Sequence, residues 1–307
     1  MGMSQAKQKN QKKLITRIYH YRWFYLLFFP VFLALLVFNL LPMVGVLYAF
    51  TEYTPFSPPK FIGTENFQTL FASPLFWRAF KNTLEISFLK MILTLLTSIG
   101  LALLLDEIPS LGFRKLAQTV VYIPHFISWV VVAAIFTMIL SPTTGIINAI
   151  IEELGGTAIY FLANEKWWRP IFYIINIWKE TGWGTIIFVA ALAGVDQELH
   201  EAARIDGANR IQRVVHITLP AIAGTILVVF ILNLAKVLNL FEPVWVLQNS
   251  MVIAVSDVLE TYVYRMGITS ADYGLSTAAG LFKSVISVIL VIIANKASKA
   301  ISGEEVI

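Results

Sequence analysis

Residues 201–208 read Glu201-Ala202-Ala203-Arg204-Ile205-Asp206-Gly207-Ala208, inside a polar stretch, 195–218, that separates two long apolar runs. Asp196 and Glu198 lie just upstream, where acidic groups suit the positive N-terminus of a short helix. Ala202, Ala203 and Ile205 support helix and leave a small, closely packable surface. Gly207 then supplies a natural break or left-handed turn. Beyond it Ile211, Val214, Val215 and Ile217 mix with Arg210, Gln212, Arg213 and His216, an amphipathic second helix. Pro220 fits the first turn of the next apolar run, where a missing N–H costs little. The reading is helix–turn–helix with an exposed small-residue knob at 202–207. Such a knob can seat in a groove on a partner and transmit a push. On local physics alone a plain amphipathic interfacial loop is the favoured reading.

The apolar runs on either side set the solvent. The chain has 307 residues, 57% hydrophobic and only 14% charged, against about 25% charged in an ordinary soluble domain. Its mean hydropathy is +0.72. Six stretches hold the roughly 20 apolar residues that a crossing needs: 24–50, 84–105, 119–140, 170–194, 219–241 and 275–295. In hydrocarbon every backbone polar group must be bonded within its own segment, so these runs predict helices. The expected fold is an all-α integral membrane protein with six transmembrane helices. Tyr21, Trp23, Trp129, Trp167 and Trp168 near the run ends are expected as interfacial anchors.

Lysine and arginine orient the spans. With the N-terminus inside, thirteen of the 23 fall on the inner side and six on the outer, while Lys90, Lys179, Lys236 and Lys283 lie within spans. Both termini and the 195–218 loop are therefore expected in the cytoplasm of a cell whose plasma membrane this chain crosses several times. The expected organisation is a basic segment at 1–23, one membrane domain at 24–295 and a short tail at 296–307. The outer loop at 51–83 carries Pro55, Pro58 and Pro59, then a possible surface helix. Gly155-Gly156 marks a turn in the loop at 141–169. The net charge of +4 fits this orientation and calls for no nucleic-acid partner.

Several chemistries are excluded. No cysteine is present, and the four histidines, at 20, 125, 200 and 216, are scattered without ligand spacing. No G-x-x-x-x-G-K-[ST] occurs, so the chain carries no P-loop of its own. Neither a catalytic, a cofactor-binding nor a metal site is expected.

Ionisable groups inside spans are costly and usually face a cavity or a partner. Lys179 and Glu180 lie mid-span between Trp178 and Trp183, and aromatic faces beside a charged pair suit sugars. Packing with internal charge pairing explains the same residues. Asn233, Lys236 and Asn239 follow at spacings of three, near one helix face, and fit a wet cavity or a subunit interface. Lys90 heads a similar stripe with Thr94, Thr97 and Ser98. Glu85 and Lys283 are expected to snorkel from span ends.

Taken together, E-A-A-x-x-D-G-A with the later L-P resembles the cytoplasmic EAA loop of ABC-importer permeases. Val121-Tyr122-Ile123-Pro124-His125-Phe126 and Ile177-Trp178-Lys179-Glu180-Thr181-Gly182-Trp183 resemble the maltose-transporter type, most like the polysaccharide and oligosaccharide uptake permeases. His200 departs from that subgroup, where tyrosine is expected. The resemblance implies a type I ABC importer permease fold with a coupling helix. It implies that Glu201, Ala202, Ala203, Asp206, Gly207, Ala208 and Pro220 form the ATPase-coupling loop. It also implies a dimeric ATPase that binds the ATP and magnesium, a second related permease, an extracellular binding protein and a carbohydrate substrate. Trp178, Lys179, Glu180, Trp183, Asn233, Lys236, Asn239 and Lys90 are the pathway candidates. An ion-coupled secondary transporter of a small polar solute is the alternative, disfavoured by the absence of a visible repeat.

Overall fold

The computed structural model describes Arg17, residues 19–54 and residues 57–302. Most of the basic segment and the end of the tail therefore lie outside the described residues, as does Pro55. A continuous helical run, Arg22–Phe50, opens the fold; its α-helical part is α1 (Arg22–Leu35). A two-stranded antiparallel hairpin follows, β1 (Thr51–Thr54) with β2 (Ser57–Phe61), then the short helix α2 (Glu65–Ala72). Next come α3 (Pro74–Asp106), α4 (Leu111–Tyr122), α5 (Trp129–Ile139), α6 (Ile146–Glu153) and α7 (Glu165–Leu192).

The second half holds α8 (Gln197–Ile205), α9 (Arg210–Arg213), α10 (Leu219–Ala221) and α11 (Ala223–Ala235). Three short helices, α12 (Glu242–Leu247), α13 (Ile253–Ser256) and α14 (Leu259–Tyr264), lead to the long α15 (Tyr273–Ser302). Ser73 caps α3, accepting from the Phe76 N–H at 3.4 Å with Pro74 in the first turn. The second expected span thus begins about ten residues earlier than its apolar core.

Three helical runs are long and apolar enough to cross a membrane alone: Arg22–Phe50, Pro74–Asp106 and Tyr273–Lys296. Two more qualify as bent pairs, and here the expectation of straight spans needs correction. The third span breaks by 99° between Phe126 and Trp129. Pro124 and the cap at Ser128, which accepts from the Val131 N–H, stop one helix and start another. The fifth breaks by 63° at Ile222. Its expected stretch 219–241 is helical only to Ala235. Pro220 sits near the end of the Arg210–Ala221 rod rather than opening α11. The π-helical turns of Val214–Thr218 just before it accommodate the N–H that proline lacks. The fourth expected span is α7, a 28-residue helix made less apolar by Asn176, Lys179 and Glu180.

The core forms around α3 and α7, the most extensively packed helix pair. Small residues bring α7 close to α3 and to α4, as in membrane helix pairs generally. Gly184 lies where a Cβ would come within 2.5 Å of Ser98 Oγ, and at Gly182 a Cβ would fall 1.8 Å from the Val121 carbonyl oxygen. Trp168 is fully buried, stacked on Phe172, and its Nε1–H donates to Leu247 O at 3.0 Å. It is a core residue and not an interfacial anchor, because segment 242–252 covers the first turns of α7. The two residues expected to snorkel both have partners within the chain. Glu85 accepts from Arg169 Nη1 at 2.7 Å, and Lys283 pairs with Glu260 while donating to Asn239 Oδ1 at 3.0 Å.

A polar clamp fixes the α12–α14 segment. Arg169 donates to Val255 O, Asn82 Oδ1 and Glu85, while Asn82 donates to the carbonyls of Ala254 and Asp257. Buried Asp257 pairs with Arg265 through two bonds, of 2.5 and 3.0 Å.

Candidate functional site

Two features stand out: an exposed elbow at 195–218 and a polar cavity among α3, α7 and α11. The elbow is built by local rules. Asp196 caps α8 by accepting from the Glu198 N–H at 2.9 Å. Gly207 adopts φ +81°, the left-handed conformation that side chains resist. Ala208 N–H donates to Ala203 O at 2.9 Å and Gly207 N–H to Arg204 O at 3.1 Å, a Schellman close. Asn209 then opens α9 with a reciprocal capping box to Gln212. Arg210 pairs with Glu107 at 3.4 Å, tying the elbow to the end of α3.

Glu201, Ala202, Asp206 and Gly207 are exposed, and Ala203 and Ala208 half-buried. Ile205 is 87% exposed and Ile211 74%, in a segment flanked by charges. His200, Glu201 and Arg204 also line a small polar cleft against Asp106 and Glu107.

The cavity encloses about 340 Å³. It brings together six of the eight pathway candidates: Lys90 from α3, Glu180 and Trp183 from α7, Asn233 from α11, and Lys236 and Asn239 from the turns after it. Asn233, Lys236 and Asn239 converge although α11 ends at Ala235. Ser87, Thr94 and Ser98 line it too.

Trp178 and Lys179 lie elsewhere. Lys179 is buried, donating to His125 O at 2.6 Å and facing the Trp129 ring at 5.3 Å. Trp178 packs edge-on against Phe136. Thr97 bonds Thr181 at 2.8 Å, between the helices.

His125 was not singled out in the sequence as a site residue. Its Nδ1 lies 2.9 Å from Glu180 Oε2, where the ring N–H donates, and its ring stacks on Trp183 at 4.5 Å and 5°. The Ile123-Pro124-His125-Phe126 turn thus braces the wall that Glu180 and Trp183 present. Proline followed by histidine at a helix break was the available signal.

The comparisons agree with this architecture. Residues 95–303 match the family described as "Binding-protein-dependent transport system inner membrane component". Protein LplB of Bacillus subtilis (strain 168) is 46% identical over 287 residues, covering 92% of this chain and 90% of its own. The polygalacturonan/rhamnogalacturonan transport system permease protein YteP of the same organism is 40% identical over 303 residues, covering 97% and 94%. A crystal structure of a bacterial ABC transporter involved in the import of the acidic polysaccharide alginate contains a chain with TM-score 0.87 and 38% identity, covering 94% of this chain and 99% of that one. An exposed elbow, a cavity lined by polar side chains between packed helices and these likenesses lead to one assignment: the chain belongs to the family of binding-protein-dependent transport system inner membrane components, ABC-importer permeases of the bacterial inner membrane and not enzymes.

Proposed function

We propose that this chain is one of two related permeases in an ABC importer that moves a sugar or oligosaccharide by alternating access. The observation that carries the reading is the pairing of the exposed elbow with the polar cavity through one continuous path, the Arg210–Ala221 rod and α11. The elbow, with Glu201, Ala202, Ala203, Asp206, Gly207 and Ala208, docks on a dimeric ATPase, which binds the ATP and magnesium. Pro220 ends the rod that receives the push. Lys90, Glu180, Trp183, Asn233, Lys236 and Asn239 line the substrate route, while Trp178 and Lys179 brace it from behind. A second permease completes the route. A binding protein delivers the substrate, by likeness to the alginate transporter solved in complex with an alginate pentasaccharide-bound periplasmic protein.

In this reading both termini and the elbow face the cytoplasm, and 24–295 acts as one membrane domain between the 1–23 segment and the 296–307 tail. ATP closure of the ATPase shifts the elbow, and the loaded binding protein favours the outward-open state by its differential affinity. The test is affinity purification in mild detergent from native membranes, beside Glu201→Lys and Gly207→Pro variants. A P-loop ATPase and a second permease should co-purify with the wild type and weaken in both variants. A chain that purifies alone and is indifferent to elbow changes would instead point to an ion-coupled carrier.

A further inference from the structure

We propose that the saccharide passing through this cavity is anionic, with a sugar carboxylate held by Lys90 and Lys236. This rests on the permease reading above and names the substrate class for it.

The charge pattern carries the inference. Lys90 and Lys236 both line the cavity, and among the described residues neither ammonium makes a hydrogen bond or a direct ion pair, although the Glu180 carboxylate acts on Lys90 electrostatically. Other internal cations are matched: Arg169 by Glu85, Arg265 by Asp257 and Lys283 by Glu260. Glu180 is the one carboxylate lining the cavity, and His125 at 2.9 Å and Lys179 at 3.8 Å already hold it from behind. The cavity therefore has a surplus of positive charge. An ammonium taken out of water needs a counter-charge. A carboxylate has two oxygens and accepts from two ammoniums at once.

The rest of the wall suits a sugar. Ser87 Oγ and Thr94 Oγ1 are buried on α3 and find no partner among the described residues, although helix hydroxyls usually bond their own backbone. Both residues line this cavity, and either hydroxyl would reach a ring hydroxyl once its side chain turns. Trp183, stacked on His125, is held by that contact as a wall residue against which a pyranose face can lie.

The test uses the complete importer in proteoliposomes: both permeases, the ATPase and the co-purifying binding protein. ATP-dependent uptake is compared for uronate tetrasaccharides and their carboxyl-reduced, neutral counterparts. The wild type should import the uronates. Lys90→Gln and Lys236→Gln should each reduce that import by about tenfold or more, the loss of a charged hydrogen-bond partner. Lys90→Arg and Lys236→Arg should restore part of it. Wild-type import of the neutral forms at an equal rate would overturn the inference while leaving the permease reading intact. Loss of the second permease from the Gln variants would also overturn it, because the lysines would then pair across the interface. Uptake of neither kind would also overturn it, whereas the permease reading itself fails only if no ATPase and no second permease co-purify.

Discussion

The elbow's turns are closed by bonds that reach at most five residues along the chain, such as Ala208 to Ala203 and Asn209 with Gln212. The cavity wall is closed by bonds between residues 54 to 87 positions apart: Lys179 to His125, Ser98 to Thr181, Thr185 to Ser98. A structure made of local bonds forms as a unit and can move as one. A structure made of distant bonds holds its shape only while several helices stay together. The division suits a machine in which one part is pushed and another changes shape.

Four substitutions probe this contrast. The largest effect is expected from Gly182→Val, since even a Cβ there falls 1.8 Å from the Val121 carbonyl oxygen. Forcing α4 and α7 apart should cost about 3–5 kcal/mol. Thermal melting in detergent measures it, and an unchanged melting temperature would disprove the close approach. Next, Asp257→Asn removes the carboxylate facing Arg265. Because Arg265 is partly exposed, the cost should be about 2 kcal/mol. The α12–α14 segment should then exchange amide hydrogens faster than α3.

Gly207→Ala forces a side chain onto φ +81° and should cost about 1–2 kcal/mol. The damage should stay in the elbow: weaker ATPase co-purification with an unchanged cavity. Faster exchange in α7 would refute the elbow's independence. Asn209→Ala, which deletes one helix cap, should cost only about 0.5–1 kcal/mol. Hydrogen exchange confined to α9 would fit; loss across α11 would mean that the rod and span unfold together.

The same contrast explains what the sequence revealed. The elbow was readable almost residue by residue because caps, glycine and periodicity are local signals. Only Pro220 was misplaced, since the π turns that carry it into the rod have no simple local pattern. The cavity was readable where a helix period sufficed. Glu180 and Trp183 lie three apart on one face of α7, while Lys179 is turned about 100° away towards the Pro124–His125 carbonyls. Adjacent charged residues were therefore assigned one role when the helix gives them two. His125 stayed hidden because its partner is 55 residues away. The 99° break was in fact announced by Pro124 and Ser128, but apolarity was counted across it. The burial of Trp168 depended on segment 242–252 folding back, which no local signal encodes.

The 63° break at Ile222 has a mechanical consequence. The rod from Arg210 to Ala221 is about 18 Å long at the usual helical rise, and it meets α11 at an angle. A sideways load on the elbow then acts as torque about one residue instead of thrust along the span. A rod set at this angle can work as a crank, turning α11 and its Asn233 side chain without compressing the helix. Leverage of this kind depends on rod length and bend angle, and inserting one helical turn between Arg210 and Thr218 would alter the gearing while leaving residues 201–208 in place.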